Sequence, residues 1–294
     1  MIRNWRISTI VTHLFFIVLC LLFTIPILTI VSISLSKESD ILAFGYKIIP
    51  KSIDFSAYQF VFANPHQMID SYKITIFVSI VGATTSVLIM LMLAYVLSRK
   101  IFKYRNFLAF IAFFTMLFNG GLIPKYILIT QYLHLGNNIG ILLLNDIVTV
   151  WYIFILRTFI QQIPEEILES AVMDGASEFR MFSSLILPLS KPAIATIGLF
   201  VLLRYWNDWT TPLIYISNPK LYPLQFMLQK VLLELQSILE NMDNLPSSLA
   251  DLNKIPSETV RMALAIIAAG PMLFVMPFFQ KYFVRGLTIG SVKG

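Results

Sequence analysis

Residues 164–192, PEEILESAVMDGASEFRMFSSLILPLSKP, decide how this chain is read. The stretch is polar and rich in helix breakers, and apolar runs flank it on both sides. Its pattern predicts a short helix over about 165–173, a turn at Asp174-Gly175, and a second short helix over about 177–186 stopped by Pro188. Held between two membrane spans, such an element suits a docking knob for another protein. Gly175 permits a tight turn. Glu169 and Asp174 are placed to pair with basic groups of that partner. A solvated amphipathic loop is the plainer alternative for the same residues.

What surrounds this island is membrane-like. Of 294 residues, 57% are hydrophobic and 13% are charged, with a mean hydropathy of +0.77. Soluble domains carry about 25% charged residues, so the chain lies far outside that class. A spanning helix needs roughly 20 apolar residues. Windows of that kind lie near 10–35, 73–97, 107–128, 139–160, 193–216 and 260–284. The expectation is an all-α integral membrane protein with six transmembrane helices in one domain, residues 1–294. Arg3 and Arg6 precede the first run as in a signal peptide, but the run is too long, contains Pro26 and lacks a small-x-small cleavage site. An uncleaved first span is expected.

Charge sets the expected orientation. With both termini in the cytoplasm, the densest basic cluster, Arg99, Lys100, Lys103 and Arg105, falls inside, as the positive-inside rule requires. The 164–192 loop then also faces the cytoplasm, where ATP is available. Topology signalling accounts for the net charge of +6 better than nucleic-acid binding does. Two long external segments, 36–72 and 218–258, are the places to meet an extracytoplasmic partner. The second contains an apolar-periodic stretch, Phe226 to Leu239, that predicts one helix.

Several chemistries are excluded. The single cysteine, Cys20, cannot form an internal disulfide, and His13, His66 and His134 share no metal-ligand spacing. There is no His-Glu-x-x-His or paired Gly-x-x-Asp set for an intramembrane hydrolase, and no Gly-x-x-x-x-Gly-Lys-Ser/Thr phosphate loop. Polar and aromatic residues inside the spans are the candidates for a solute path, because they are costly in lipid. They are Asn119, Asn145, Asp146, Arg204, Trp206, Asn207, Asp208 and Trp209. Sugars suit such surfaces, with rings stacking on aromatics and hydroxyls bonding to amides. For Trp206 and Asn207, helix–helix hydrogen bonding stands equally beside path contact. For Arg204 and Asp208, an i, i+4 pair is the favoured reading.

Glu169, Ala171, Asp174, Gly175, Ala176, Leu187 and Pro188 fall at the spacing of the EAA loop of bacterial ABC importer permeases. The tail, QKYFVRGLTIGSVKG over residues 280–294, closely resembles that of the smaller maltose-type permease of the class 1 carbohydrate uptake family. Tyr205-Trp206-Asn207-Asp208-Trp209 resembles the Trp-Asn-acid-aromatic stretch of those sugar permeases. Asn119-Gly120-Gly121-Leu122-Ile123-Pro124 resembles a segment of the subgroup that serves complex oligosaccharides. Two departures, Ser170 for the first Ala of the triplet and Leu185 for the usual Ile, are small and compatible with short helices.

The resemblance covers essentially the whole chain and implies the ABC importer type I permease fold. It implies a non-catalytic subunit of an ATP-driven importer of a carbohydrate, an oligosaccharide, with acidic and modified sugars among the candidates. A permease for a non-sugar solute is the alternative. Implied partners are a second, different permease, two ATPase subunits that hold ATP and magnesium, an extracytoplasmic sugar-binding protein and the lipid bilayer. This chain itself binds no cofactor in that scheme. The coupling residues become Glu169, Ala171, Asp174, Gly175, Ala176, Phe179, Leu187 and Pro188. Residues 285–294, with Gly286, Gly290, Lys293 and Gly294, become an ATPase-contacting tail, its glycines too many to favour a helix. The substrate path would run past Asn119, Asn145, Trp206, Asn207 and Trp209.

Overall fold

The structure, a computed structural model, describes residues 2–242 and 257–290, with side chains described over 8–238 and 257–280. Among the described residues the chain is helical, apart from one isolated bridge between Ser36 and Ile53. In chain order the helices are α1 (Ile2–Ser34), α2 (Glu38–Phe44), α3 (Ser56–Val61), α4 (Pro65–Ser98), α5 (Arg105–Leu117), α6 (Leu122–Ile127), α7 (Ile139–Leu144), α8 (Val150–Ile160), α9 (Glu165–Met173), α10 (Glu178–Met181), α11 (Leu187–Leu189), α12 (Lys191–Trp206), α13 (Thr210–Tyr215), α14 (Leu224–Met242) and α15 (Ser257–Gly290). Single π-turns, Leu128–Tyr132 and Phe182–Ile186, follow α6 and α10. The chain divides into two compact units, one of residues 1–68 and 228–271, the other of residues 69–227 and 272–294.

In the first unit, α1 is apolar on every side. The most apolar 18-residue window of its candidate span, Ser8–Ser34, has a mean hydropathy of 3.0 and is unburied, whereas Ser32, Ile33 and Ser34 at the end are buried. A helix apolar all round and unburied within its own chain suits a membrane span. Where α1 ends, the Ser34 hydroxyl meets the Tyr58 hydroxyl at 2.9 Å. Glu38, in the first turn of α2, accepts hydrogen bonds from the Glu258 and Thr259 amides at 2.9 and 3.0 Å and from the Thr259 hydroxyl at 2.8 Å. A carboxylate there satisfies amides that the start of α15 leaves unbonded and complements its dipole.

The second unit is organised along α4. Its inward stripe, Ser71, Thr75, Ser79, Gly82, Ala83, Ser86 and Ala94, is small and buried at helical spacing, with Met90 as one large member. Small residues let neighbouring backbones come close, which is how helices pack where lipid supplies no hydrophobic drive. Gly82 is the tightest point: a Cβ there would lie 2.7 Å from the Tyr205 ring. Leu156 and Ile160 of α8 and Ile197, Leu199 and Val201 of α12 are buried in the same unit, and α8 packs on α12.

Six uninterrupted spans are not what the chain forms. Among the described residues, three helices are long and apolar enough to cross a membrane: Ser8–Ser34, Pro65–Ser98 and Ser257–Gln280. Two further pairs qualify only as bent elements, Arg105–Leu117 with Leu122–Tyr132 at 112° and Glu178–Leu189 with Lys191–Trp206 at 78°. The expected spans at 107–128, 139–160 and 193–216 are therefore each interrupted. At Asn119 the side-chain carbonyl accepts from the Gly121 amide at 2.9 Å, and Gly121 takes φ +87°. That turn suits Asn and Gly and ends the helix. The other two interruptions build the site described below.

At the far end the expectation also changes. The last span was placed at 260–284 with a non-helical tail, but α15 runs from Ser257 through Gly286 to Gly290. Extending an existing helix adds one hydrogen bond per residue without a new nucleus, which offsets the roughly 1 kcal/mol cost of each Gly. Lys293 and Gly294 lie outside the described residues. The helix expected from Phe226 to Leu239 is present as α14.

Candidate functional site

The 164–192 loop folds as two short helices joined at Gly175. The Ala176 amide donates to the Ala171 carbonyl at 2.9 Å and the Gly175 amide to the Val172 carbonyl at 3.0 Å. With Gly175 at φ +72°, this is a Schellman closure of α9. It gives a physical reason for the spacing of Ala171, Gly175 and Ala176: the two alanines face each other across the paired amides, and only Gly enters the left-handed conformation without strain. Ser177 then caps α10, accepting from the Arg180 amide at 3.3 Å.

Pro188 does not stop the second helix, as the sequence suggested; the helical path continues to Leu189. The π-turn Phe182–Ile186 precedes it and Pro188 sits in the first turn of α11, where its missing N–H is not needed. The break comes at Ser190 instead, followed by Pro192 in the first turn of α12.

Exposure separates the two sides of this loop. Met181, Phe182 and Ile186 are buried, whereas Glu169, Asp174, Gly175 and Pro188 are exposed. Met173 and Phe179 are 86% and 74% exposed, two large apolar side chains beside the turn.

The loop is tied down by groups that sequence reading used only for topology. Arg99, just past α4, pairs with Glu178 at 3.0 Å, and the Tyr95 hydroxyl donates to the other oxygen of the same carboxylate. Lys100 pairs with Glu165. Tyr95 also packs on Phe182, ring centroids 5.7 Å apart. Nothing local in the sequence links charges so far apart along the chain, so only the fold reveals this clamp.

A second feature lies where α7–α8 and α12–α13 are interrupted. It is a cavity of about 440 Å³ lined by Asn145, Tyr152, Arg204, Asn207 and Trp209, together with Leu142, Asp146, Phe200, Leu203, Tyr205, Asp208 and Thr210. The polar residues create the interruptions. Asp208 Oδ1 accepts from the Thr210 and Thr211 amides at 3.1 and 3.0 Å, starting α13 anew. The Asn207 amide nitrogen donates to the Leu203 carbonyl at 2.8 Å, and Asn207 Oδ1 accepts from Gln225 at 3.2 Å. Asn145 donates to the Thr211 hydroxyl at 3.0 Å, with its own Oδ1 buried and unbonded.

Arg204 does not pair with Asp208. Its guanidinium donates to the Asp146 carbonyl and the Thr149 hydroxyl, across the gap between α7 and α8. Tyr205 donates to the Leu143 carbonyl at 2.7 Å. Both thus satisfy oxygens that the end of α7 leaves open, as irregular backbone at membrane depth demands.

Of the path residues predicted, Asn145, Asn207 and Trp209 come together at this cavity. Trp206 is buried at 3% exposure and does not line it, and Asn119 sits at the turn before α6. Tyr152 and Phe200, stacked with ring centroids 6.4 Å apart, were missed because aromatic residues in an apolar run carry no distinguishing signal. The cavity offers amides, a guanidinium, two carboxylates and aromatic faces, which is the equipment for holding a polyhydroxylated ring.

Comparison with known proteins agrees with this arrangement. The chain is 31% identical over 289 residues to the Bacillus subtilis polygalacturonan/rhamnogalacturonan transport system permease protein YtcP, covering 98% of this chain and 99% of that protein. It is 36% identical over 270 residues to Protein LplC of the same organism, covering 92% and 89%. Its fold matches a crystal structure of a bacterial ABC transporter involved in the import of the acidic polysaccharide alginate, with a TM-score of 0.78, 31% identity and coverage of 95% and 97%. Residues 3–289 match the family described as binding-protein-dependent transport system inner membrane component. With this match, a helical chain carrying apolar spans, a polar projecting loop and a polar cavity belongs to that family of multi-pass ABC importer permeases.

Proposed function

We propose that this chain is one of two non-identical permeases of an ABC importer that takes up an acidic oligosaccharide. The observation that carries the reading is the cavity at the paired helix interruptions, where Asn145, Asn207 and Trp209 meet Arg204. Amides and aromatic faces suit sugar hydroxyls and rings; Arg204 is offset by Asp146 and Asp208, so the cavity supports a carbohydrate and not a particular charge. The acidic character of the solute is supported by relatives named for polygalacturonan and alginate transport. In this reading the chain crosses the membrane six times, its interrupted elements included, with both termini cytoplasmic.

ATP and magnesium belong to two partner ATPase subunits, and the loop at 164–192 seats in a cleft on one of them. Closure of the ATPases moves the loop as a rigid body, and the clamp from Glu178 to Arg99 carries that motion into α4. Residues 285–294 make a further contact with the ATPases. An extracytoplasmic binding protein delivers the sugar from the other side.

The test is ATP hydrolysis by the reconstituted complex with its binding protein. Oligogalacturonides are expected to stimulate it, neutral arabino-oligosaccharides to do so less, and Asn207→Ala to weaken the response. Stimulation by neither sugar class removes the carbohydrate reading, and equal stimulation by both removes the acidic one.

A further inference from the structure

A second cavity, of about 530 Å³, opens beside the base of the loop and is not part of the sugar site. Arg99, Lys100, Arg105 and Arg157 line it, at the end of α4, the start of α5 and the last turn of α8. Glu178 and Glu165 neutralise Arg99 and Lys100. Arg105 and Arg157 have no ion-pair partner among the described residues, and the Arg157 Nε is buried without a hydrogen bond. Glu166 is the remaining carboxylate there. Two unpaired guanidinium groups in one concavity repel each other unless an anion joins them, and their planar forks match phosphate oxygens.

The surroundings identify the source of that phosphate. At Gln162 the cavity meets a groove of about 400 Å³ along α8, bounded by Trp151, Phe154, Ile155, Thr158 and Phe159. Trp151 is 60% exposed there. A cationic hollow that shares Gln162 with an apolar groove on a membrane helix has the two-part chemistry of one amphiphile. We propose that the hollow and groove bind an anionic phospholipid, its phosphate between Arg105 and Arg157 and an acyl chain along α8. Ile163, Pro164 and Glu165 border the same hollow, so the lipid braces the root of the loop.

Native mass spectrometry of the whole importer complex tests this, because the spectrum reports assembly and bound lipid together. With equal phosphatidylglycerol and phosphatidylcholine of matched chains, the wild type should retain phosphatidylglycerol preferentially. Arg157→Gln should lower that preference about fivefold, as should Arg105→Gln, the cost of one cation near an anionic headgroup. If Arg157→Gln fails to assemble, Arg105→Gln carries the test alone. Inorganic phosphate should not displace the lipid, since it makes no use of the groove. Equal retention of both lipids, a preference unmoved by either variant that assembles, or displacement by inorganic phosphate would overturn the proposal.

Discussion

The loop at 164–192 and the cavity beside α12 are both made by ending helices, but for different reasons. In the loop the endings are local: Gly175 turns the chain, and Ser177 restarts it within three residues. In the cavity they are tertiary: Arg204 and Tyr205 reach more than 50 positions back to satisfy Asp146, Thr149 and Leu143. A local ending can project from the protein as a rigid, self-contained knob. A tertiary ending leaves polar groups facing inward, where they form a wall.

The contrast makes opposite demands on the two regions. Replacing Gly175 should have the largest effect on transport and little on folding. No atom lies within 4 Å of a Cβ built there, so bulk meets nothing in this chain. The left-handed backbone costs a non-glycine residue roughly 1–2 kcal/mol, less for Asn. Gly175→Trp should abolish uptake by a complex that still inserts, whereas Gly175→Asn should retain it. Uptake that survives Gly175→Trp would show that the loop does not seat in a cleft.

At the cavity the balance reverses. Gly82→Ala pushes a methyl against the Tyr205 ring, which its hydroxyl fixes to Leu143 at 2.7 Å and Ser86 at 3.1 Å. Overpacking of this kind costs about 1–3 kcal/mol. Thermal unfolding of the purified complex should shift down accordingly, and sugar-stimulated hydrolysis should fall with it. An unchanged melting temperature would mean that the ring moves freely and does not hold the wall.

The smallest effect is expected at the clamp. Glu178→Gln removes the charge facing Arg99, in a pair where the glutamate is 58% exposed and the arginine 15%. A partly solvated pair contributes about 0.2–1 kcal/mol, so stability should barely change. Hydrogen exchange over residues 165–186 should nevertheless quicken, because the tie to α4 is loosened. Exchange that stays at the wild-type rate would assign the pair no positioning role.

Legibility in the sequence follows the same division. The first loop helix was predicted at about 165–173 and is found at Glu165–Met173, because its capping residues are neighbours in the chain. The Asp174-Gly175 turn was legible for the same reason. Pro188 misled because the π-turn before it supplies room that no residue-level rule foresees. Asn145, Asn207 and Asp208 were recognised as costly in lipid; Asp208 restarts α13 through its neighbours Thr210 and Thr211, whereas Asn145 bonds to Thr211, 66 positions along the chain. Asn207 is both a helix end and a cavity wall, two readings that sequence alone left side by side. The family, by contrast, was legible from loop and tail spacing.

The central claim is that the sugar occupies the cavity at the helix interruptions. Thiol accessibility tests it directly, in a complex carrying Cys20→Ser with either Asn207→Cys or Asn119→Cys. The rate of maleimide labelling is measured with and without oligogalacturonide-loaded binding protein and ATP. The account predicts that sugar slows labelling at position 207, on the cavity wall, and leaves position 119, at the turn before α6, unchanged. Equal labelling at 207 with and without sugar would contradict it.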